Sequence, residues 1–367
     1  MTGLEVHRSA GSLGRSEDGW RALAAAAPGS SYFATPDWVL ASWESMRTPR
    51  EAEIATWTAP DGAVDAVVPL RRSTGRLHPR IPLPVRSWTL LGADPDSADH
   101  GLLLAGPERR EEVRAWLSER TRGRSLWLSA MDAEADPGLL PPGTRRLAVT
   151  TCPRLALDPD TAVGSTGFRK AMRYSERQLA RNGITFRWVA PPMMTGEVLD
   201  AVVALHRARQ EHKGNATDFG AHRRDFHLRL QARAGLDRGP AALLAERDGT
   251  PVGAAYGFLW QNVFAYYNGG WDHAYANLSL GTVLMNRAIA MLTDLGIRTF
   301  DFLRGDEQYK YHPFGALDRY DEQWLRPRSV SALLAGAVLH RARSRRPQPG
   351  AAPAHGGTPA EPEPRPV

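Results

Sequence analysis

Three apolar runs, Ala241–Arg247, Val252–Trp260 and Val263–Asn268, are separated only by short turns built on Asp248-Gly249 and Gln261-Asn262. Asp-Gly between alternating apolar stretches is a strong hairpin signal, because both residues tolerate the positive φ that a tight turn needs. Two such turns in succession leave no room for a crossover helix, so the runs pair as an antiparallel meander. Helical spacing follows from Gly281 to Leu295, closed by Gly296, and Arg298–Leu303 then reads as another strand. Meander, helix and strand in that order predict a mixed α+β fold.

Two helices precede the meander. Phe168–Asn182 is stopped by Gly183, and Val198–His212 carries Val198, Leu199, Val202 and Leu205 on its apolar side. The first half repeats the mixture. Ile54–Thr58 and Ala63–Leu70 flank Asp61-Gly62, strands are expected at Ser87–Leu91, Leu102–Leu104 and Ser125–Ser129, and a helix at Glu108–Arg120. Tyr32–Trp38 leads into a short helix begun by Thr35 or Pro36, whereas Asp132–Gly143, rich in Pro, Gly and Asp, is a loop. With 367 residues, 42% of them hydrophobic, the chain can build two cores. The expected division is 1–150, 151–328, a C-terminal helix over 329–342, and a Pro-, Gly- and Ala-rich tail over 343–367 that should be disordered.

Charge and cysteine content narrow the function classes. A net charge of +6 is a small excess of 46 basic over 40 acidic residues, scattered along the chain, and does not point to DNA. The single cysteine, Cys152, excludes an internal disulfide framework and a cysteine-rich metal site, and fits a reducing cytoplasm. Met1–Ala27 has no signal-peptide apolar run, and Val330–Leu339 is too short to span a bilayer. His206, His212, His222 and His227 lack the spacing of a helical metal pair, so no metal is expected, and His206 is read as facing a substrate cleft or capping a local hydrogen bond.

The chemistry concentrates where the last strand of the second half ends, in Asp301-Phe302-Leu303-Arg304-Gly305-Asp306-Glu307-Gln308-Tyr309-Lys310-Tyr311-His312. Alternation sets Asp301 opposite Phe300 and Phe302, and Gly305 lets the chain turn at once, gathering charged and hydroxyl groups at the sheet edge. Glu307 is the first candidate base and His312 the second. Tyr309 could protonate a leaving group, and Arg304 and Lys310 could bind an anion. Only three of the 46 basic residues are lysine, so Lys310 stands against a strong drift to arginine and suggests a need for an ammonium. The plain alternative is an ion-pair network that pins a loop.

Two further features invite anions. The turn Ala276-Asn277-Leu278-Ser279-Leu280-Gly281-Thr282 precedes a helix, so its backbone N–H groups suit a phosphate, although Asn277, Ser279 and Gly281 would serve equally as an ordinary N-cap. Arg169, Arg173, Arg177 and Arg181, with Lys170 beside them, form a cationic stripe on one helix. Without aromatic residues interleaved, the stripe reads as a solvated face.

The residues 301–310, the preceding Ser279-Leu280-Gly281-Thr282, the entry Phe33-Ala34-Thr35-Pro36-Asp37-Trp38 and the Arg-rich helix ending in Asn182-Gly183 together resemble the GNAT-superfamily proteins grouped with CelD-type cellulose-biosynthesis proteins and with FemAB-like transferases. The resemblance covers about residues 30–327. It implies tandem GNAT-like lobes, each a mostly antiparallel twisted sheet flanked by helices. It also implies transfer of an acyl group from acyl-CoA, as co-substrate rather than tightly bound cofactor, to an amine of a small molecule or saccharide. Asn277, Ser279, Gly281 and Thr282 would then face the donor, though only Gly281 matches the glycines usual in the family's phosphate loop. The alternatives are an aminoacyl-tRNA donor, as in FemAB-like enzymes, and a non-catalytic accessory role in polysaccharide or natural-product assembly. Direct attack by the amine is expected, with backbone N–H groups around Phe258–Trp260 receiving the oxyanion. No covalent enzyme intermediate is expected, since Cys152 lies far away in sequence.

Overall fold

The computed structural model describes residues 3–76, 84–93, 98–215, 219 and 223–343. The first part of the chain runs β1 (Gly3–His7), α1 (Ser16–Ala26), α2 (Pro36–Glu44), β2 (Ala52–Thr58), β3 (Val64–Gly75), β4 (Val85–Leu90), β5 (Leu104–Ala105), α3 (Arg110–Arg120), β6 (Ser125–Asp132) and β7 (Arg145–Thr151). The second continues with β8 (Arg154–Ala156), α4 (Thr166–Arg181), β9 (Ile184–Val189), α5 (Gly196–His212), α6 (Arg224–Ala232), β10 (Gly239–Arg247), β11 (Thr250–Trp260), β12 (Val263–Trp271), α7 (Leu280–Asp294), β13 (Thr299–Asp301), α8 (Gln308–Tyr311), β14 (Tyr320–Arg326) and α9 (Val330–Arg343).

These strands make two sheets, one of order β1-β2-β3-β4-β6-β14-β7 with β5 beside β3, the other β8-β13-β12-β11-β10-β9. Both are mostly antiparallel, with β4/β6 and β12/β13 the parallel pairs among the described strands. The expected α+β class and the meander are therefore present. The expected division at 328 needs correction: β14 leaves the second lobe and inserts between β6 and β7 of the first sheet. The two lobes are thus stitched together by the chain itself. Helix α9 then packs Ala332, Ala335 and Leu339 on Leu147 and Leu325. Residues 344–367 of the expected tail, and His222, lie outside the described residues.

The lobes also share a core. Thr35 caps α2, its hydroxyl accepting from Trp38 N, and Pro36 supplies the first helical residue. That cap aims Trp38, fully buried, at the second lobe, where its ring meets Phe258 at 5.3 Å and Phe226 at 4.8 Å. Tyr32 stacks on Phe258 at 5.1 Å. Truncating a buried aromatic of this kind costs about 3–5 kcal/mol, so the α2 side chains hold the lobes in register as firmly as they hold their own lobe.

Two features of β12 shape the space beside it. Gly270 lies directly under α5, and a Cβ there would collide with the backbone of Leu205 and His206. The register of β11 against β12 slips between Tyr256↔Asn268 and Gly257↔Tyr266, leaving Tyr267 as an extra residue in a bulge. On the other side β12 pairs with β13 only from Val263 to Ala265. Beyond that the strands part, and Leu303, at φ 56, turns the chain toward the first lobe.

Candidate active site

The parted strands open into a cleft of about 690 Å³ lined from both lobes, by Ala98 and Asp99 of the first and by α5, β12 and the 302–310 segment of the second. Among the residues expected from sequence, His206, Arg304, Glu307, Tyr309 and Lys310 line it. Asp301, His312, Asn277, Ser279, Gly281 and Thr282 do not.

Asp301 is expected to act chemically, but it is buried between the lobes. Its Oδ2 stands 3.0 Å from His100 Nε2 and 3.3 Å from Arg154 Nη2. Alternation does place Phe300 and Phe302 in the second lobe's core, so the strand reading holds while the role changes to a structural one. His100 completes the bridge by placing Nδ1 2.8 Å from Asp321 Oδ1 and donating its backbone N–H to Asp321 Oδ2 at 2.8 Å. Burial alone would lower the imidazole's pKa. The charges and hydrogen bonds of Asp301 and Asp321 outweigh it and hold the ring cationic, well above its usual range. Asp301 correspondingly sits below the usual carboxylate range, burial being overcome by His100 and Arg154.

Four carboxylates, Asp99, Asp132, Asp301 and Asp321, thus meet four cations, His100, Arg154, Arg304 and Arg319, in one seam. Cys152 adjoins them in space, although it lies far in sequence from Asp301 and Arg304. Its thiol is pushed up by burial and by Asp99, Asp321 and Asp301, which keeps it protonated and unfit as a nucleophile. His100, Cys152 and Asp321 offer ligand atoms within 4.8 Å of one another.

Lys310 and Arg304 are expected to bind an anion, and the structure corrects both. Lys310 is buried, and its ammonium donates to the carbonyls of Arg304 at 2.8 Å, Gly305 at 3.1 Å and Leu303 at 3.3 Å, with Glu307 Oε2 at 2.8 Å. Three convergent carbonyls suit the three protons of an ammonium and not a planar guanidinium, which accounts for the lysine. Arg304 pairs with Asp99 Oδ1 at 2.5 Å and donates to Ala98 O at 2.5 Å. Both residues fix the loop that presents Glu307 and Tyr309. Gly305 is required here because φ 112 is a backbone conformation that L side chains rarely adopt.

Glu307 remains 56% exposed at the cleft mouth. Tyr309 is also exposed there, and its phenol is raised by partial burial and then by Tyr266 and Glu307, so it stays protonated. His206, buried, has its imidazole lowered by desolvation and by Arg209 despite Gly269 O 3.3 Å from Nδ1, and is therefore neutral near pH 7. His312 is exposed and outside the lining.

Sequence reasoning missed Asp99, Arg209 and Arg223 in the lining. Arg209 lies 3.9 Å over the Trp271 ring and donates to Gly269 O at 3.3 Å. The doublet Gly269-Gly270 was the available signal, since paired glycines inside a strand mark a close approach of backbone. The oxyanion position expected at Phe258–Trp260 is also corrected: those residues are buried and paired with Val263–Ala265, whereas the bulge at Tyr267 and the end of β12/β13 pairing both lie beyond Ala265. The turn before α7 is a 3-10 segment (His273–Leu278) followed by Ser279 in the left-handed region, φ 56 and ψ 35, with no side-chain capping bond. Gly281 packs under the Trp271 indole.

Residues 166–311 match the family described as acetyltransferase (GNAT) domain. Over that segment the fold is of the GNAT type. Among solved structures, FemX superposes with a TM-score of 0.60 over 88% of this chain and 98% of its own at 10% identity. The C-terminal domain of a putative lysylphosphatidylglycerol synthetase from Agrobacterium fabrum gives 0.54 over 89% and 96% at 14% identity. L-PGS from Bacillus licheniformis gives 0.51 over 85% and 97% at 13% identity. At such identities these likenesses concern the GNAT-type fold alone. No curated protein matches the sequence. Among the described residues no helix is long and apolar enough to cross a membrane.

Proposed function

We propose that this chain is an N-acyltransferase that moves an acyl group from an acyl-CoA thioester to an amine of a small molecule or saccharide by direct attack. The observation that carries the reading is the parting of β12 and β13 into a cleft where Glu307, Tyr309 and His206 meet. The amine lone pair attacks the thioester carbonyl, the C–N bond forms, and the C–S bond breaks from the tetrahedral intermediate. Glu307, or the neutral His206, takes the proton from the amine, and the protonated Tyr309 supplies one to the departing thiolate. Backbone N–H groups of the bulged segment around Tyr267 receive the oxyanion. The donor's pyrophosphate takes the positive end of the 15-residue helix α7, beside Asn277, Ser279, Gly281 and Thr282 and outside the residues that line the cleft.

The test is an incubation with acyl-CoA and a panel of amines, reading free CoA thiol and acylated product by mass spectrometry. Turnover on at least one amine that falls in Glu307→Gln supports the reading. Turnover unchanged in that variant removes Glu307 from the chemistry.

One observation favours a second reading. Lys170, Arg173, Arg177 and Arg181 are exposed on α4, which packs beside the 273–278 turn. Such a stripe suits a polyanionic donor, as in an aminoacyl-tRNA-dependent amide-forming transferase. That reading requires steep weakening of donor binding with salt. Activity on CoA thioesters alone, with a flat salt response, contradicts it.

A further inference from the structure

Helix α9 is apolar on both of its faces. Val330–Leu339 contains no charged residue, and Ser331 is its one hydroxyl side chain. Ala332, Ala335, Gly336 and Leu339 are buried, whereas Val330, Leu333, Leu334 and Val338 are 72%, 47%, 51% and 36% exposed. Those four stand at i, i+3, i+4 and i+8, so they form one stripe along the outer face. A helix on a globular surface ordinarily turns polar side chains outward, as α4 does with Lys170, Arg173 and Arg177. An apolar outer stripe with a polar rim marks a surface that meets a partner.

The surroundings of the stripe identify that partner. Leu333 and Ala337 share a concavity of about 310 Å³ with Arg145, Arg146 and His340, and no carboxylate is among the described residues that line it. Arg146 is paired with Glu322 at 2.6 Å, while Arg145 and Arg328 are exposed. Between Glu322 and Glu361 the sequence holds six arginines and no Asp or Glu, with Arg341, Arg343, Arg345 and Arg346 directly after the stripe. Aliphatic side chains in a line with cations beside them complement an anionic lipid surface, where the former enter the acyl boundary and the latter meet headgroup phosphates. A second copy seated on the stripe would instead set one basic rim against another. Residues 344–367 contain one large aliphatic, Val367, and no aromatic, so their composition offers no cover for four apolar side chains.

We propose that α9 docks the protein peripherally on an anionic lipid bilayer, with Val330, Leu333, Leu334 and Val338 entering the headgroup boundary and the neighbouring arginines on lipid phosphates. The docking surface does not rest on the acyltransferase reading. It concerns where the protein works and leaves open what it transfers.

The test is co-sedimentation of the full chain with vesicles of phosphatidylcholine alone and of an equal mixture of phosphatidylcholine and phosphatidylglycerol. Binding to the mixed vesicles is expected to be about tenfold or more tighter than to the neutral ones, and to weaken as salt is raised. Val330→Asp and Leu333→Ser/Leu334→Ser should each weaken it by about tenfold or more. All three positions are exposed, so both variants should fold, which circular dichroism checks. Met193→Ser/Leu236→Ser removes exposed apolar side chains from the second lobe and should leave binding unchanged. Absence of binding to the mixed vesicles, equal binding to both kinds, or unchanged binding in the two stripe variants overturns the proposal. A concentration-dependent dimer in sedimentation velocity, abolished by the stripe variants and found in place of vesicle binding, would assign the stripe to a second copy and overturn the lipid assignment.

Discussion

His100 of the first lobe and Asp301 of the second meet at 3.0 Å through Nε2 and Oδ2, both buried, so that a charged pair joins the two sheets in addition to the crossing of β14 and the shared core. Removing His100 leaves Asp321 buried without this countercharge and Asp301 with Arg154 alone. His100→Asn should therefore lower the unfolding free energy at pH 6 by about 3–5 kcal/mol in urea denaturation.

The pH dependence of this pair has a definite sign. The His100 pKa is raised on folding, so its contribution is fully present below the unfolded value of about 6.5 and is lost as pH rises through the folded value. The Asp301 pKa is lowered, so its contribution is present above about 3.9 and lost as pH falls through the folded value. Wild-type stability should decline as pH is raised beyond neutrality, and His100→Asn should flatten that decline. Parallel declines in both proteins would contradict the assignment.

Lys310→Met should destabilise the protein by roughly 3 kcal/mol or more, because three carbonyls and Glu307 lose a buried donor. Lys310→Arg should not restore the loss, since a planar fork cannot converge on three carbonyls. Thermal melts of both variants decide the matter, and full rescue by arginine would show that only charge is required.

Gly270→Ala places a methyl group against the α5 backbone at Leu205 and His206. Overpacking of this kind costs about 1–3 kcal/mol. It should also displace His206 and Arg209 from the cleft, so ligand affinity should fall more than stability. A variant with wild-type urea midpoint and affinity would contradict the close approach.

Much of this architecture is legible in the sequence, and the exceptions share a cause. Asp248-Gly249 and Gln261-Asn262 specify the meander, and helical periodicity specifies α4, α5 and α7, because turns and amphipathic faces are local properties. That β14 returns to the first sheet is invisible, since alternation states that a strand has two faces and not which strand it joins. Lys310 stood out as a residue for which an ammonium mattered, but its partners are backbone carbonyls, which every sequence contains. Asp301 was read as reactive because its partner, His100, lies some two hundred positions away and carries no local signature. The position of Glu307 and Tyr309 at the cleft is legible because a charged turn after an apolar strand marks a sheet edge.

Glu307→Gln keeps an acceptor for Lys310 Nζ while removing the basic carboxylate. Turnover should fall about a hundredfold or more, and the melting temperature should fall less than in Lys310→Met, because the three carbonyls still hold the buried ammonium when its carboxylate partner is neutralised. Wild-type turnover in this variant would move the base to His206.

The measurement closest to the central claim is the melting temperature with CoA, acetyl-CoA and longer acyl-CoAs, in wild type and in a Glu307→Gln control. A ligand at 100 times its Kd adds about 2.7 kcal/mol of stability. The account predicts a saturable upward shift with acyl-CoA that Glu307→Gln retains, since that residue acts on the amine and not on the donor. No shift with any CoA species would contradict an acyl-CoA donor and leave an aminoacyl-tRNA donor or a non-catalytic role.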